Sequence, residues 1–73
     1  MDVETAEITI KIYLTKIRDH LEKATKIART AQACADAGNV EKGLEIALEV
    51  EGFVREANTF LNAASTIHLM ARH

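Results

Sequence analysis

The sequence predicts an all-α fold: an antiparallel two-helix hairpin that completes a four-helix bundle by dimerising or by pairing with a helical partner. Three observations carry this reading: a seven-residue apolar repeat through most of the chain, one Gly-Asn break near its middle, and 73 residues without a proline. A chain so short, 48% apolar and 27% charged, is one small domain that buries a smaller share of its surface than a larger one does. No staple offsets that deficit. Cys34 is the only cysteine, and no tight Cys/His cluster suits a structural zinc. The missing stability is therefore expected from another chain.

The first helix is expected over residues 3–37. Ile10, Leu14, Ile17, Leu21, Ala24, Ala28, Ala31 and Ala35 step by alternating fours and threes, a heptad seam that Tyr13, Ile27 and Cys34 widen into a broader stripe. One stretch competes: Glu7 to Thr15 alternates polar and apolar residues and is rich in branched side chains, the signature of a strand. No second stretch offers it a partner, and a lone strand leaves its backbone unpaired, so helix is expected there too. The break follows at residues 38–39. Gly38 can close one helix in the left-handed conformation, Asn39 can cap the next, and Glu41 suits its first turn.

The second helix is expected over residues 40–71. Gly43, Val50, Ala57, Ala64 and Ala71 recur every seven residues, flanked by Ile46, Phe53, Phe60 and Ile67 and by Ala47, Val54 and Leu61. Gly52 in mid-helix marks a kink or a close helix contact. At about 1.5 Å per residue, each arm is roughly 50 Å long. Folding about the turn sets residue i near 77 minus i, so the alanine-rich end of helix 1 meets Val40, Gly43, Ala47 and Leu48. Two helices enclose no core. Ile8, Ile12, Leu44, Leu48, Phe60, Leu69 and Met70 are left over as the candidate partner interface.

Candidate chemistry is sparse. His20 and His68 fall on different arms at different levels, and the Glu-x-x-His pair of carboxylate-bridged metal bundles is absent, so no metal or other cofactor is expected. Glu7 and His68 fall on the inward face near the open end, a candidate buried pair that responds to pH. Cys34 has no nearby histidine to activate it and reads as a small packing residue. Gly38, Gly43 and Gly52 are scattered and follow no strand, so no phosphate loop is formed. The chain reads as a protein without enzymatic activity.

Charge narrows the partner class. Nine Lys and Arg stand against eleven Asp and Glu, a net charge of −2 that argues against binding nucleic acid through bulk positive charge. Lys11, Lys16, Arg18, Lys23, Lys26 and Arg29 make the middle of helix 1 basic, whereas residues 41–56 hold five glutamates against Lys42 and Arg55. Glu7 with Lys11, Asp19 with Lys23, Glu22 with Lys26 and Glu51 with Arg55 stand four apart in the favourable order. No apolar run nears the roughly 18 residues of a membrane span, and Met1-Asp2-Val3-Glu4 is acidic where a secretory signal is basic. A cytoplasmic protein is the expectation.

The stretch Ala37-Gly38-Asn39-Val40-Glu41-Lys42-Gly43-Leu44-Glu45-Ile46-Ala47-Leu48-Glu49 resembles the inter-helix turn and second helix of a tetratricopeptide repeat. A single copy does not build a solenoid, and helix 1 exceeds the length such a repeat allows. Taken whole, two long amphipathic helices with one glycine break resemble the small E-type co-chaperones of type III secretion needle subunits. That resemblance implies pairing with a tetratricopeptide-like chaperone to keep a needle subunit monomeric in the cytoplasm. The layout also resembles the Rop family of plasmid regulators, which implies a four-helix-bundle dimer that binds paired RNA hairpins. A structural homodimer without a ligand is the third alternative.

Overall fold

The computed structural model describes residues 2–72, which form one long helix and one bent helix, with no strand among them. Helix α1 spans Val3–Asp36, α2 spans Val40–Ala47 and α3 spans Val50–Ala71. Asp2 starts the chain of helices as an N-cap, its carboxylate accepting from the Thr5 amide at 3.2 Å and the Thr5 hydroxyl at 3.1 Å. These bonds, the amide first, hold the Asp2 carboxyl below its ordinary 3.8. The strand-like stretch from Glu7 to Thr15 is helical throughout. Its threonines return their hydroxyls to the helix, Thr9 to the Thr5 carbonyl at 2.9 Å and Thr15 to the Lys11 carbonyl at 3.1 Å.

The turn follows the chemistry of its residues. The Asn39 amide donates to the Cys34 carbonyl and the Gly38 amide to the Ala35 carbonyl, both at 3.0 Å, while Gly38 takes φ +98°. This paired closure needs a left-handed residue, which glycine supplies without a Cβ clash. Asn39 then accepts from the Lys42 amide at 3.1 Å and starts α2. The first helix thus ends at Asp36, one residue before the expected boundary, with Ala37 as its cap.

The second arm is not the single helix expected over 40–71. It bends at Leu48–Glu49, where the Glu49 amide reaches Ile46 rather than the residue four back, and the Glu51 amide reaches Leu48 at 3.4 Å. Both residues keep right-handed helical angles, so the helix tightens and turns without stopping. The bend lies ahead of Gly52, and a Cβ built at Gly52 would meet nothing within 4 Å. Gly43 is the glycine that matters. A Cβ there would stand 2.7 Å from the Ala31 carbonyl oxygen and 3.3 Å from the Ala35 amide nitrogen, so α2 lies almost on the backbone of α1.

The arms run side by side in opposite directions, making a rod of 55 × 13 × 11 Å. Among the described residues, the buried apolar side chains are Ala6, Ala24, Ala31, Ala57 and Ala64. Ile10, Tyr13, Ile17, His20, Ile27 and Cys34 from α1, with Ile46, Val50, Phe53, Phe60, Ile67 and Ala71 opposite, are half-buried between the arms. The seam expected on the first helix is therefore shifted: Leu14 and Leu21 face outward, Tyr13 lies inward on the stripe as expected, and His20 joins it. Tyr13 packs on Phe60 with ring centroids 5.7 Å apart, and His20 sits between Phe53 and Phe60 at 6.1 and 5.5 Å. Each buried alanine methyl contributes only about 0.8 kcal/mol, so the arms are held lightly.

Candidate protein-interaction surface

The contacts between the arms set which residues lie level. Tyr13 meets Phe60, His20 meets Glu56, and the Gly43 backbone meets Ala31, so opposite residue numbers add to about 75. On that register Leu14 is level with Leu61, Leu21 with Val54 and Ala28 with Ala47. Each stands four residues after an inward-row neighbour: Ile10, Ile17 and Ala24 on one arm, Gly43, Val50 and Ala57 on the other. A four-residue step turns a helix about 40° in a fixed sense. Because the arms are antiparallel, that step carries both rows to the same side of the rod.

One face therefore carries a two-column apolar strip. Leu14 is 54% exposed, Leu21 43%, Val54 47% and Leu61 53%. Toward the turn the strip continues into an open groove lined by Ala28, Ala31, Gln32, Ala35, Val40, Gly43, Leu44 and Ala47. The outer edge of the strip is charged, since Leu21 shares an open hollow with Arg18, Glu22, Lys26 and Arg29; on the opposite side of the rod the charge reaches the space between the arms. There Ile27 and Ile46 are flanked by Lys26, Thr30 and Glu49, so charge interrupts the apolar surface.

The residues expected at the interface divide among three places. Leu44 lies in the groove at the turn end of the strip. Ile8 and Ile12 on α1, and Leu69 and Met70 on α3, are exposed near the open end, and Leu48 is exposed at the bend. Phe60 is elsewhere: it is half-buried between the arms against Tyr13 and His20, where its ring closes the aromatic cluster. Leu14, Leu21, Val54 and Leu61 were not expected there. Two adjacent rows of α1 share the heptad period, and periodicity cannot say which one the neighbouring arm covers.

The polar groups also rearrange. Glu7 and His68 are both exposed and make no hydrogen bond or ion pair with each other, so the expected buried pair is not formed. The histidine that bridges the arms is His20. Its Nδ1 lies 2.7 Å from the Lys16 carbonyl oxygen and its Nε2 2.5 Å from a Glu56 carboxylate oxygen. Carbonyl and ionised carboxylate only accept, so both bonds are made together when the ring donates from both nitrogens. The ring is nearly enclosed, at 17% exposure, while the carboxylate is open to solvent at 63%. His73 lies outside the described residues.

Of the four expected pairs along the helices, Glu51 with Arg55 is present at 3.3 Å. Arg18 instead takes Asp19 at 3.1 Å and Glu22 at 3.9 Å, and Lys42 takes Glu45 at 3.6 Å. Glu7 with Lys11, Asp19 with Lys23 and Glu22 with Lys26 form no ion pair. Such exposed pairs contribute under about 1 kcal/mol each, and neighbouring rotamers decide among them. Cys34 is half-buried on the packed side of α1. Among the described residues no helix is long and apolar enough to cross a membrane. Comparison with family models, with curated proteins and with solved structures finds no match to the chain.

Proposed function

We propose that the chain is a non-enzymatic protein–protein interaction module that works by burying its exposed apolar side chains against helical surface, its own or a partner's. The observation that carries this reading is the inversion of sizes: among the described residues the buried apolar ones are alanines, while twelve large apolar side chains are exposed. Each of those removed from water contributes roughly 1.5–3 kcal/mol, so half a dozen suffice to hold a complex. Resemblance in size and layout to the E-type co-chaperones of needle subunits supplies the sharpest form of the reading. In that form the chain pairs with a tetratricopeptide-like chaperone in the cytoplasm.

The test is affinity capture of the tagged full-length chain from cells that carry a needle-type secretion system, with partners identified by mass spectrometry. Recovery of a tetratricopeptide-like chaperone together with a needle subunit supports the co-chaperone form. A chain that stays at its 8.1 kDa mass and captures neither refutes the module. A gel shift of a paired RNA hairpin that fades as salt rises would replace it with a nucleic-acid-binding role.

A further inference from the structure

We infer that a second copy of this chain covers the strip formed by Leu14, Leu21, Ala28, Ala47, Val54 and Leu61, giving a twofold dimer of four packed helical arms. The inference rests on the reading of the chain as an interaction module and names its occupant. The first argument is area. The chain exposes 5466 Å², against about 4,500 Å² for a compact monomer of its mass, an excess of roughly 1,000 Å². Stable complexes cover about 800 Å² on each partner. The surplus is what one dimer interface removes.

The second argument is the pattern of the strip. A twofold interface needs one surface that matches itself. Here both arms contribute at each level, Leu14 with Leu61, Leu21 with Val54 and Ala28 with Ala47, and successive levels are one heptad apart. A heptad seam presented by two arms at once is the surface a second pair of arms packs against, large side chains entering the spaces between levels. Periodicity agrees from another direction. The rows of α1 containing Ile10, Ile17 and Ala24 and containing Leu14, Leu21 and Ala28 together make the full seam of a bundle helix, yet the other arm covers only the first row. The second row has the spacing of a packed layer and, in a single chain, nothing to pack on.

Sedimentation equilibrium of the full chain over a concentration series tests this, with L21E/V54E as the strip variant and I8E/I12E as a control off the strip. The expected result is twice the 8.1 kDa chain mass for wild type and for I8E/I12E, and single-chain mass for L21E/V54E. Circular dichroism checks that the strip variant stays helical. If it unfolds, mixed isotope-labelled and unlabelled wild-type chain provides the second measurement, with intermolecular contacts expected between the methyls of Leu14, Leu21, Val54 and Leu61. A dimer that survives L21E/V54E folded, or intermolecular contacts confined to Ile8, Ile12, Leu69 and Met70, overturns the assignment of the strip and leaves the module standing. A wild-type chain that is monomeric throughout overturns the second copy. The module itself then stands or falls on the capture experiment.

Discussion

Gly43→Ala and Gly52→Ala are the same chemical change on the same arm, and the structure predicts opposite signs. At Gly52 a methyl meets nothing within 4 Å, so only the helix preference of alanine acts, and the variant is stabilised by about 0.5–1 kcal/mol. At Gly43 the methyl would sit 2.7 Å from the Ala31 carbonyl oxygen, inside the 3.0 Å that Cβ contacts essentially never cross. That atom is backbone and cannot swing aside. The arms must part near the turn, where α2 is tied to α1 through residues 37–39. Overpacking costs about 1–3 kcal/mol against the gain of about 1 kcal/mol from helix preference, a net loss of about 1 kcal/mol. For a chain of this size each 1 kcal/mol moves Tm by roughly 4–8 °C. Thermal unfolding followed by circular dichroism at one fixed protein concentration should therefore show Gly52→Ala above wild type and Gly43→Ala below it. Equal shifts of the same sign would refute the close approach of α2 to α1.

Other outcomes follow from local geometry. Gly38→Ala places a side chain at φ +98° and should cost about 1–2 kcal/mol by the same melt, although no neighbour lies near enough to clash. Removing the His20 ring with His20→Ala, which empties the space between Phe53 and Phe60 and deletes both hydrogen bonds, should cost about 1–3 kcal/mol in urea unfolding. Glu56→Ala, which loses one bond at an open carboxylate, should cost under about 1 kcal/mol. Asp2→Ala should lower helicity at neutral pH. The folded-state pKa of Asp2 is depressed, so its cap stabilises above the unfolded value and is lost as pH falls through the folded one; the gap between wild type and variant should close on the acid side of 3.8.

The turn was legible in the sequence because Gly38 and Asn39 each have one strong local preference, and both are met within five residues of chain. The helical reading of the strand-like stretch also held, since a strand needs a partner and the chain has none to give. The inward row of the second arm was legible through its alanines and Phe53, while Phe60, expected at the partner interface, lies between the arms. The bend at Leu48–Glu49 was not, because neither residue is a glycine or a proline and neither side chain caps the helix that follows. The place of Gly43 against the alanine-rich end of helix 1 was legible, whereas Gly52, read as a kink or a close helix contact, makes no close contact and lies beyond the bend. The row of α1 that turns inward is decided by a competition between side chains, with Tyr13 and His20 meeting Phe53 and Phe60 where Leu14 and Leu21 were expected to pack. The bond between His20 and Glu56 joins residues whose pairing depends on that same shift.

The inward alanines recur every seven residues, yet on the register of the arms each faces a different size: Ala57 and Ala64 are level with Ile17 and Ile10, and Ala24 and Ala31 with Val50 and Gly43, so sliding one arm by a heptad would set Ala24 against Ala57 and break the match. Tyr13, His20, Phe53 and Phe60 make three ring contacts in this alignment, whereas a heptad slide would leave only one ring of each arm level with another. Sizes and rings together act as the key of the zipper. Trimming the rings should cost fidelity of alignment before it costs helix content.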